Sequence, residues 1–161
     1  MRKAVLFFAA FVCWILLILP AEAQSVFLGV LVSLLTAFIF GNFFAEKPAK
    51  FLQLERWAWF IYYIPVFLYY MIRANFDVLY RVLHPALPIK PGIVKVKTRL
   101  KSPAARAALC NSITLTPGTL TVDIADEFLY IHWINVKSVE TDKATKLIVE
   151  RFENILERIF E

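Results

Sequence analysis

Side chains that bind metals or transfer protons are scarce in this sequence. Its 161 residues include two cysteines and two histidines. Cys13 lies in an apolar run and Cys110 in a distant segment, a placement that predicts neither a disulfide nor a Cys/His metal site. Unpaired cysteines are typical of a reducing compartment. The sequence also shows no nucleophile–base pair, phosphate loop or pair of catalytic carboxylates, so we expect no enzyme activity, no metal and no cofactor.

Charged side chains are almost absent from the first part of the chain. Glu22 is the single charge between Ala4 and Ala45. Two apolar runs, 4–19 and 25–45, would rise about 24 Å and about 31 Å as helices, against about 30 Å for the hydrocarbon core of a bilayer. In lipid the backbone must satisfy its own polar groups, so both runs are predicted to be helical. The short connection between them predicts a tight reversal and hence a transmembrane hairpin.

The apolar share of the sequence, 60%, exceeds the roughly 45–50% of soluble domains and favours a membrane protein. A cleaved signal peptide is an alternative, because a basic start, an apolar run and Ala21-Glu22-Ala23 have the form of one. The second, longer apolar run opposes that interpretation. Basic residues flank the hairpin at 2–3 and within 46–56, while its turn has none, so both ends are predicted to face the cytoplasm.

A third apolar run, rich in Trp and Tyr, begins at Trp57 and is predicted to continue as a helix to His84. Pro65 is expected to kink this helix and Pro85 to end it. A third crossing would place the dense basic cluster in 90–106 outside the cell, against the positive-inside tendency. We therefore favour two crossings followed by a helix at the inner membrane boundary. Three crossings remain an alternative.

A polar α/β domain is predicted after the membrane region, 1–84, and a stiff proline-rich linker, 85–92. Alternating side chains predict strands, and alanine-rich or amphipathic segments predict helices; in order these are a strand at 93–100, a helix at 104–112, strands at 119–124 and 128–134, and a last helix from Thr141. Ser102 before Pro103 is expected to cap the first of these helices. The order β-α-β-β-α is most of a ferredoxin-like sandwich, so 93–161 is predicted to have that fold class.

Two residue sets are candidates for contacts with other molecules. Gly29 and Ser33 lie one helical turn apart and would let a partner helix approach closely, although lipid-facing composition explains them equally well. Arg73, Asp77 and Arg81 form one polar stripe of the third helix, which could pair with partner charges or anionic headgroups, or face solvent. The two predicted spans contain no ionisable side chain at bilayer depth. We therefore expect a component that anchors and docks but does not conduct ions by itself.

The segment NSITLTPGTLTVDI, residues 111–124, followed by LYIH, resembles the E-type subunits of the Mrp-type multisubunit cation/proton antiporters. Residues 74–96 are similar to the same family, in the same order and at a similar spacing. The resemblance implies a multi-pass component, in the bacterial inner membrane, of a complex that exchanges sodium or another monovalent cation for protons. It implies that larger partners carry the ion pathways and that this chain is a non-catalytic component needed for assembly or activity. It also implies a structural role in packing or docking for Asn111, Thr116, Pro117, Gly118 and Asp123.

The sequence leaves one other function open, a membrane-tethered regulatory domain that binds a small ligand or anionic lipid. A pocket lined by converging polar groups would favour that function, whereas a flat apolar face on the domain would favour docking. The basic strand with Lys95, Lys97 and Arg99 is expected to lie near headgroups, because the chain is tethered to a membrane. The expected partners are other antiporter subunits and membrane lipid, without nucleic acid.

Overall fold

The computed structural model describes residues 2–19, 22–41 and 53–161. These residues belong to two compact units, Met1–Gln53 and Leu54–Glu161, and each unit is described by itself. Parts of three predicted features lie outside the described residues: the start of the reversal after the first apolar run, the end of the second run beyond 41, and most of the basic segment 46–56.

The N-terminal unit contains two helices, α1 (Arg2–Leu17) and α2 (Ala23–Phe40). They pack in opposite directions, because Lys3 lies over the Phe38 ring while Trp14 Nε1 donates a hydrogen bond to the Ser25 carbonyl, 2.9 Å away. By length and composition, one helix of the described residues could cross a membrane, and that helix is α2. α1 has 16 residues and would rise about 24 Å, which is short of the hydrocarbon core.

The second unit begins with α3 (Leu54–Leu83), a 30-residue helix that continues through Pro65. It ends two residues before Pro85, where the sequence predicted a stop. The following domain has three strands and three helices, which are β1 (Gly92–Lys97), α4 (Pro103–Leu115), β2 (Thr119–Ala125), β3 (Phe128–Trp133), α5 (Thr141–Ile148) and α6 (Glu150–Phe160). The strands form an antiparallel sheet in the order β1-β3-β2. The described chain is therefore a mixture of helices and one small antiparallel sheet.

Two local features of the domain agree with the sequence pattern. The Ser102 side chain accepts a hydrogen bond from Ala105 N at 3.2 Å and caps α4, and Pro103 is its first residue. Proline suits this position because the N–H that it lacks would have no acceptor within the first turn of the helix. Gly118 has φ +87°, a conformation that a side chain would strain, and it ends the turn between α4 and β2.

The prediction of one uninterrupted C-terminal helix is wrong. The segment divides into α5 and α6 at Val149, which is fully buried. Phe152 N donates to the carbonyl of Val149, three residues earlier, which tightens the chain at this junction. Both helices place apolar side chains in the same core, Ala144 and Ile148 from α5 and Phe152 and Leu156 from α6.

The core of the second unit lies between the sheet and the helices. One side of the sheet contributes Val94 and Val96 from β1 and Leu129 and Ile131 from β3, all buried against α4, α5 and α6. The ring of Phe152 on α6 is buried in the same cluster, and three aromatic side chains of α3 surround it from the other side: Tyr63, Phe67 and Tyr70. The unit therefore has three layers, with the sheet outermost on one side and α3 outermost on the other.

Candidate docking surfaces

The predicted small-residue pair of α2 lies against α1 of the same chain. Gly29, Ser33 and Ala37, spaced four residues apart, are the buried residues of α2. A Cβ atom at Gly29 would overlap the indole ring of Trp14, so glycine permits this close approach. The neighbour of this face in the structure is thus α1, and a contact between Gly29, Ser33 and another subunit stays a prediction.

The polar stripe of α3 is partly used inside the second unit. Arg81 donates from Nε and Nη2 to the two carboxylate oxygens of Asp77, at 2.8 and 2.9 Å. These hydrogen bonds hold the pKa of Asp77 below its ordinary value. Arg81 Nη1 also donates to the carbonyl of Pro88, and both Nη atoms lie 3.0 Å from the amide oxygen of Asn135 when that amide is oriented to accept. Arg81 therefore joins the end of α3 to the linker and to the end of β3, while Arg73 is exposed.

The turn region singled out by the resemblance packs against α3. Thr116 is buried and donates its hydroxyl to the carbonyl of Ser112 at 2.8 Å. A Cβ atom at Gly118 would lie 2.9 Å from Ile134 and 3.4 Å from Val78 of α3, so this turn fits closely into its surroundings. Two other residues of the set, Asn111 and Asp123, are exposed, and Pro117 is half-buried. Thr116 and Gly118 are therefore placed for packing. A docking role for the exposed Asn111 and Asp123 stays a prediction.

The outer side of the sheet is an exposed surface that the sequence pattern did not reveal. Ile93 of β1 and Leu120 of β2 flank His132 of β3 in the sheet register, and they are 61% and 50% exposed. An irregularity in β2 at Val122, which is 53% exposed, leaves Val122 and Asp123 opposite Tyr130 and turns an extra apolar side chain outward. We call this surface the open sheet face; its residues are Ile93, Lys95, Lys97, Leu120, Val122, Asp123, Phe128, Tyr130 and His132.

Two lysines make the open sheet face basic along β1. Lys95 Nζ lies 3.7 Å from the centre of the Phe128 ring, a cation–π contact, and Lys97 Nζ pairs with Glu127 at 2.9 Å. The face thus combines exposed aliphatic side chains, half-buried aromatic rings, two ammonium groups along β1 and one carboxylate, Asp123, on β2. Such a surface suits contact with a protein that has an apolar centre and acidic groups at its margin.

The polar groups around Arg99 bind one another. A shallow cleft is lined by Arg99, Asn154, Glu157, Arg158 and Glu161. Arg99 donates to Asn154 Oδ1 at 2.7 Å and to Glu153 Oε2 at 3.0 Å. Glu153 is 2% exposed and also accepts from the Thr98 hydroxyl at 2.6 Å and from Arg99 N at 2.7 Å. These groups join α6 to the residues after β1, and this arrangement favours a structural role over ligand recognition.

Comparison with known proteins identifies one family for almost the whole chain. The family model described as "MNHE: Na+/H+ ion antiporter subunit" matches residues 7–159. The E-type subunit of the Na(+)/H(+) antiporter of Bacillus subtilis strain 168 is 34% identical over 154 residues, which are 94% of this chain and 93% of the relative. The protein of the same name from Alkalihalophilus pseudofirmus is 37% identical over 131 residues, 78% of this chain and 82% of the relative.

A solved structure resembles the chain over its full length. This is a chain of the membrane-bound sulfane sulfur reductase (MBS), an archaeal respiratory membrane complex, with 42% identity, a TM-score of 0.84 and coverage of 99% of both chains. The family match extends well beyond the segments at 74–96 and 111–132 that carried the resemblance, and it confirms that resemblance. The chain therefore belongs to the family of E-type subunits of Mrp-type Na+/H+ antiporters.

Proposed function

We propose that this chain is a non-catalytic component of a multisubunit Na+/H+ antiporter complex, needed for its assembly or activity. The open sheet face is the observation that carries the proposal. On this surface β2 presents the exposed apolar side chains Leu120 and Val122, and exposed apolar patches mark sites of interaction. The relative from Bacillus subtilis, which matches over almost its full length, is named as an E-type subunit of a Na(+)/H(+) antiporter. The polar cleft at Arg99 is internally paired, so the structure gives less support to a ligand-sensing domain.

The proposed anchor is the pair α1 and α2, placed as a hairpin in the bacterial inner membrane with the N-terminus and the C-terminal domain in the cytoplasm. α2 has the length and composition of a membrane span. The hydroxyl of Thr36 donates to the carbonyl of Val32 at 2.8 Å, so this polar group is satisfied within its own helix. The strand order β1-β3-β2 supports a ferredoxin-like arrangement of the three strands of the domain.

Co-purification tests the docking role of the open sheet face. The variant Leu120→Glu with Val122→Glu adds two carboxylates to that face, while Val139→Glu adds one at an 82% exposed position outside it. We expect the double variant to fold but to be lost from the complex with its neighbouring subunits, together with Na+/H+ exchange in everted vesicles. Val139→Glu should keep both. A double variant that stays bound and active, or a deletion of this chain that leaves exchange intact, contradicts the proposal.

A second candidate function is a component of a respiratory membrane complex. It is favoured by the 42% identity, over 99% of both chains, to a chain of the archaeal sulfane sulfur reductase complex. The proteins that co-purify with the tagged chain distinguish the two candidates. Large subunits without visible absorbance support the antiporter, whereas redox subunits with bound chromophores support the respiratory complex.

A further inference from the structure

α3 packs against the α/β domain along nearly the whole length of the helix. The residues of α3 that contact the domain recur every three or four positions, which is one side of a helix. Six of them are Arg56, Trp59, Tyr63, Tyr70, Val78 and Arg81. Arg56 Nη1 donates to the carbonyl of Ile159 at 2.6 Å near one end, and Arg81 donates to Pro88 and Asn135 near the other. The contact from Arg56 to Arg81 extends over about 38 Å.

This contact is incompatible with a transmembrane α3. The hydrocarbon core of a bilayer is about 30 Å thick, so a crossing would carry the packed surface of α6 into it. That surface includes Arg158, whose guanidinium lies 4.6 Å from the Trp59 ring, and Arg151, which lies 5.3 Å from the Tyr70 ring. Each charged side chain at bilayer depth costs at least about 2.5–3.5 kcal/mol.

The opposite side of α3 is apolar and uncovered. It presents Leu54, Ile61, Leu68, Ile72, Leu79 and Leu83, each 42 to 86% exposed. We call these six residues the outer stripe. Together they expose an apolar surface of at least the few hundred Å² above which a surface patch marks an interaction site. A stripe that extends along a 30-residue helix suits an extended surface better than a pocket.

The chemistry at the margin of the outer stripe favours lipid. Tyr62, Tyr69 and Tyr80 are exposed beside it, and amphipathic rings of this kind are enriched at headgroup depth. The exposed Arg73 lies on the same margin and would meet anionic headgroups. We propose that α3 lies in the plane of the membrane, at the inner leaflet, with the outer stripe in the acyl boundary and the domain held on its other side. The proposal rests on the membrane anchoring proposed above.

Depth measurement in vesicles tests this orientation with the full-length chain. The natural cysteines are replaced by serine, and an environment-sensitive fluorophore is placed at Ile61→Cys, Ile72→Cys or Leu83→Cys, with Val139→Cys as the water-exposed control. The protein is reconstituted in phosphatidylethanolamine/phosphatidylglycerol vesicles that contain quenchers at shallow or deep acyl positions. Because an in-plane helix sits about 5–10 Å deep, the three stripe positions should be quenched equally, by the shallow quencher, and about threefold more than the control.

Two other outcomes overturn the proposal. If Ile72→Cys responds to the deep quencher while the two end positions respond to the shallow one, α3 crosses the bilayer. If all three positions behave like Val139→Cys, the outer stripe does not bind lipid and is free for a protein partner. Either result leaves the co-purification experiment unaffected, so failure of this inference is distinct from failure of the proposed function. Circular dichroism of the serine background and of each labelled variant checks that the protein is folded.

Discussion

The buried carboxylate of Glu153 is predicted to be the most sensitive polar group of the domain. Its two oxygens accept hydrogen bonds from the Thr98 hydroxyl, Arg99 N and Arg99 Nε, at 2.6, 2.7 and 3.0 Å. The variant Glu153→Gln keeps the shape of the side chain but removes its charge and turns one oxygen into a donor. That new donor faces Arg99 Nε, which is also a donor, so one of the three hydrogen bonds must break.

The expected magnitude follows from the strengths of these bonds. A hydrogen bond to a charged group contributes about 1.5–3 kcal/mol, and a neutral one about 0.5–1.5 kcal/mol. In Glu153→Gln the bonds to Thr98 and Arg99 N weaken from the first range to the second, and the Arg99 side chain, 59% exposed, turns to water. We expect the free energy of unfolding to fall by about 2–3 kcal/mol. Glu153→Ala leaves the Thr98 hydroxyl and Arg99 N without their acceptor, at about 1–3 kcal/mol each, and should cost about 2–6 kcal/mol.

Pulse proteolysis across a urea series measures this effect in the detergent-solubilised chain, because cleavage reports the unfolded fraction. With a denaturant slope of about 1–2 kcal/mol per molar urea, Glu153→Gln should lower the midpoint by about 1–3 M. Glu157→Gln is the matched control, since Glu157 lies one turn later on α6 and 3.7 Å from Arg99 Nη2 at the surface. Its effect should stay below about 1 kcal/mol. Equal midpoints for the two variants would refute the reasoning.

Three further predictions concern other positions. Gly118→Ala should destabilise the domain by about 1–3 kcal/mol in the same urea assay, because of the positive φ and the contact with Ile134. The lowered pKa of Asp77 means that its ion pair stabilises the fold above the ordinary carboxyl pKa and is lost as the pH falls through the lower, folded value. Asp77→Asn should therefore lower the free energy of unfolding at pH 7, by under about 1 kcal/mol because the carboxylate is half-exposed, and this difference should shrink as the pH falls below the ordinary carboxyl pKa. Gly29→Leu should separate α1 from α2 through overlap with Trp14 and break the hydrogen bond from Trp14 Nε1 to the Ser25 carbonyl, seen as a change in indole fluorescence.

Local rules predicted the features that depend on a few neighbouring residues. Alternation placed Val94 and Val96 on one side of β1, and both are buried. Ser102 caps α4, and Gly118 takes the positive φ that its turn requires. Each of these depends on backbone conformation within a few residues, which the side chains nearby determine.

Features that depend on distant residues were beyond the sequence pattern. Alternation in β2 separates Leu120 and Val122 from Thr119 and Thr121, but it does not say which side meets the helices. In the structure Thr121 donates its hydroxyl to the carbonyl of Cys110 in α4, so the apolar side faces outward. The division of the last helix at Val149 likewise depends on the shape of the core that α5 and α6 share. The sequence did contain part of the signal for the open sheet face. If β3 is the central strand, Leu120 of β2 and Lys95 of β1 lie on the same side of the sheet.

The three layers of the second unit set a distance from the membrane. Helices pack about 8–10 Å apart, and a sheet lies about 10 Å from the layer beneath it, so the open sheet face stands about 20 Å from the axis of α3 where α6 lies between them. The distance is shorter at the turn before β2, where Val78 of α3 is next to Gly118. With α3 at the lipid surface, the domain would hold the open sheet face away from the bilayer. A partner that binds Leu120 and Val122 would then do so from the side of the domain away from the lipid, through an extramembrane loop or domain of the complex.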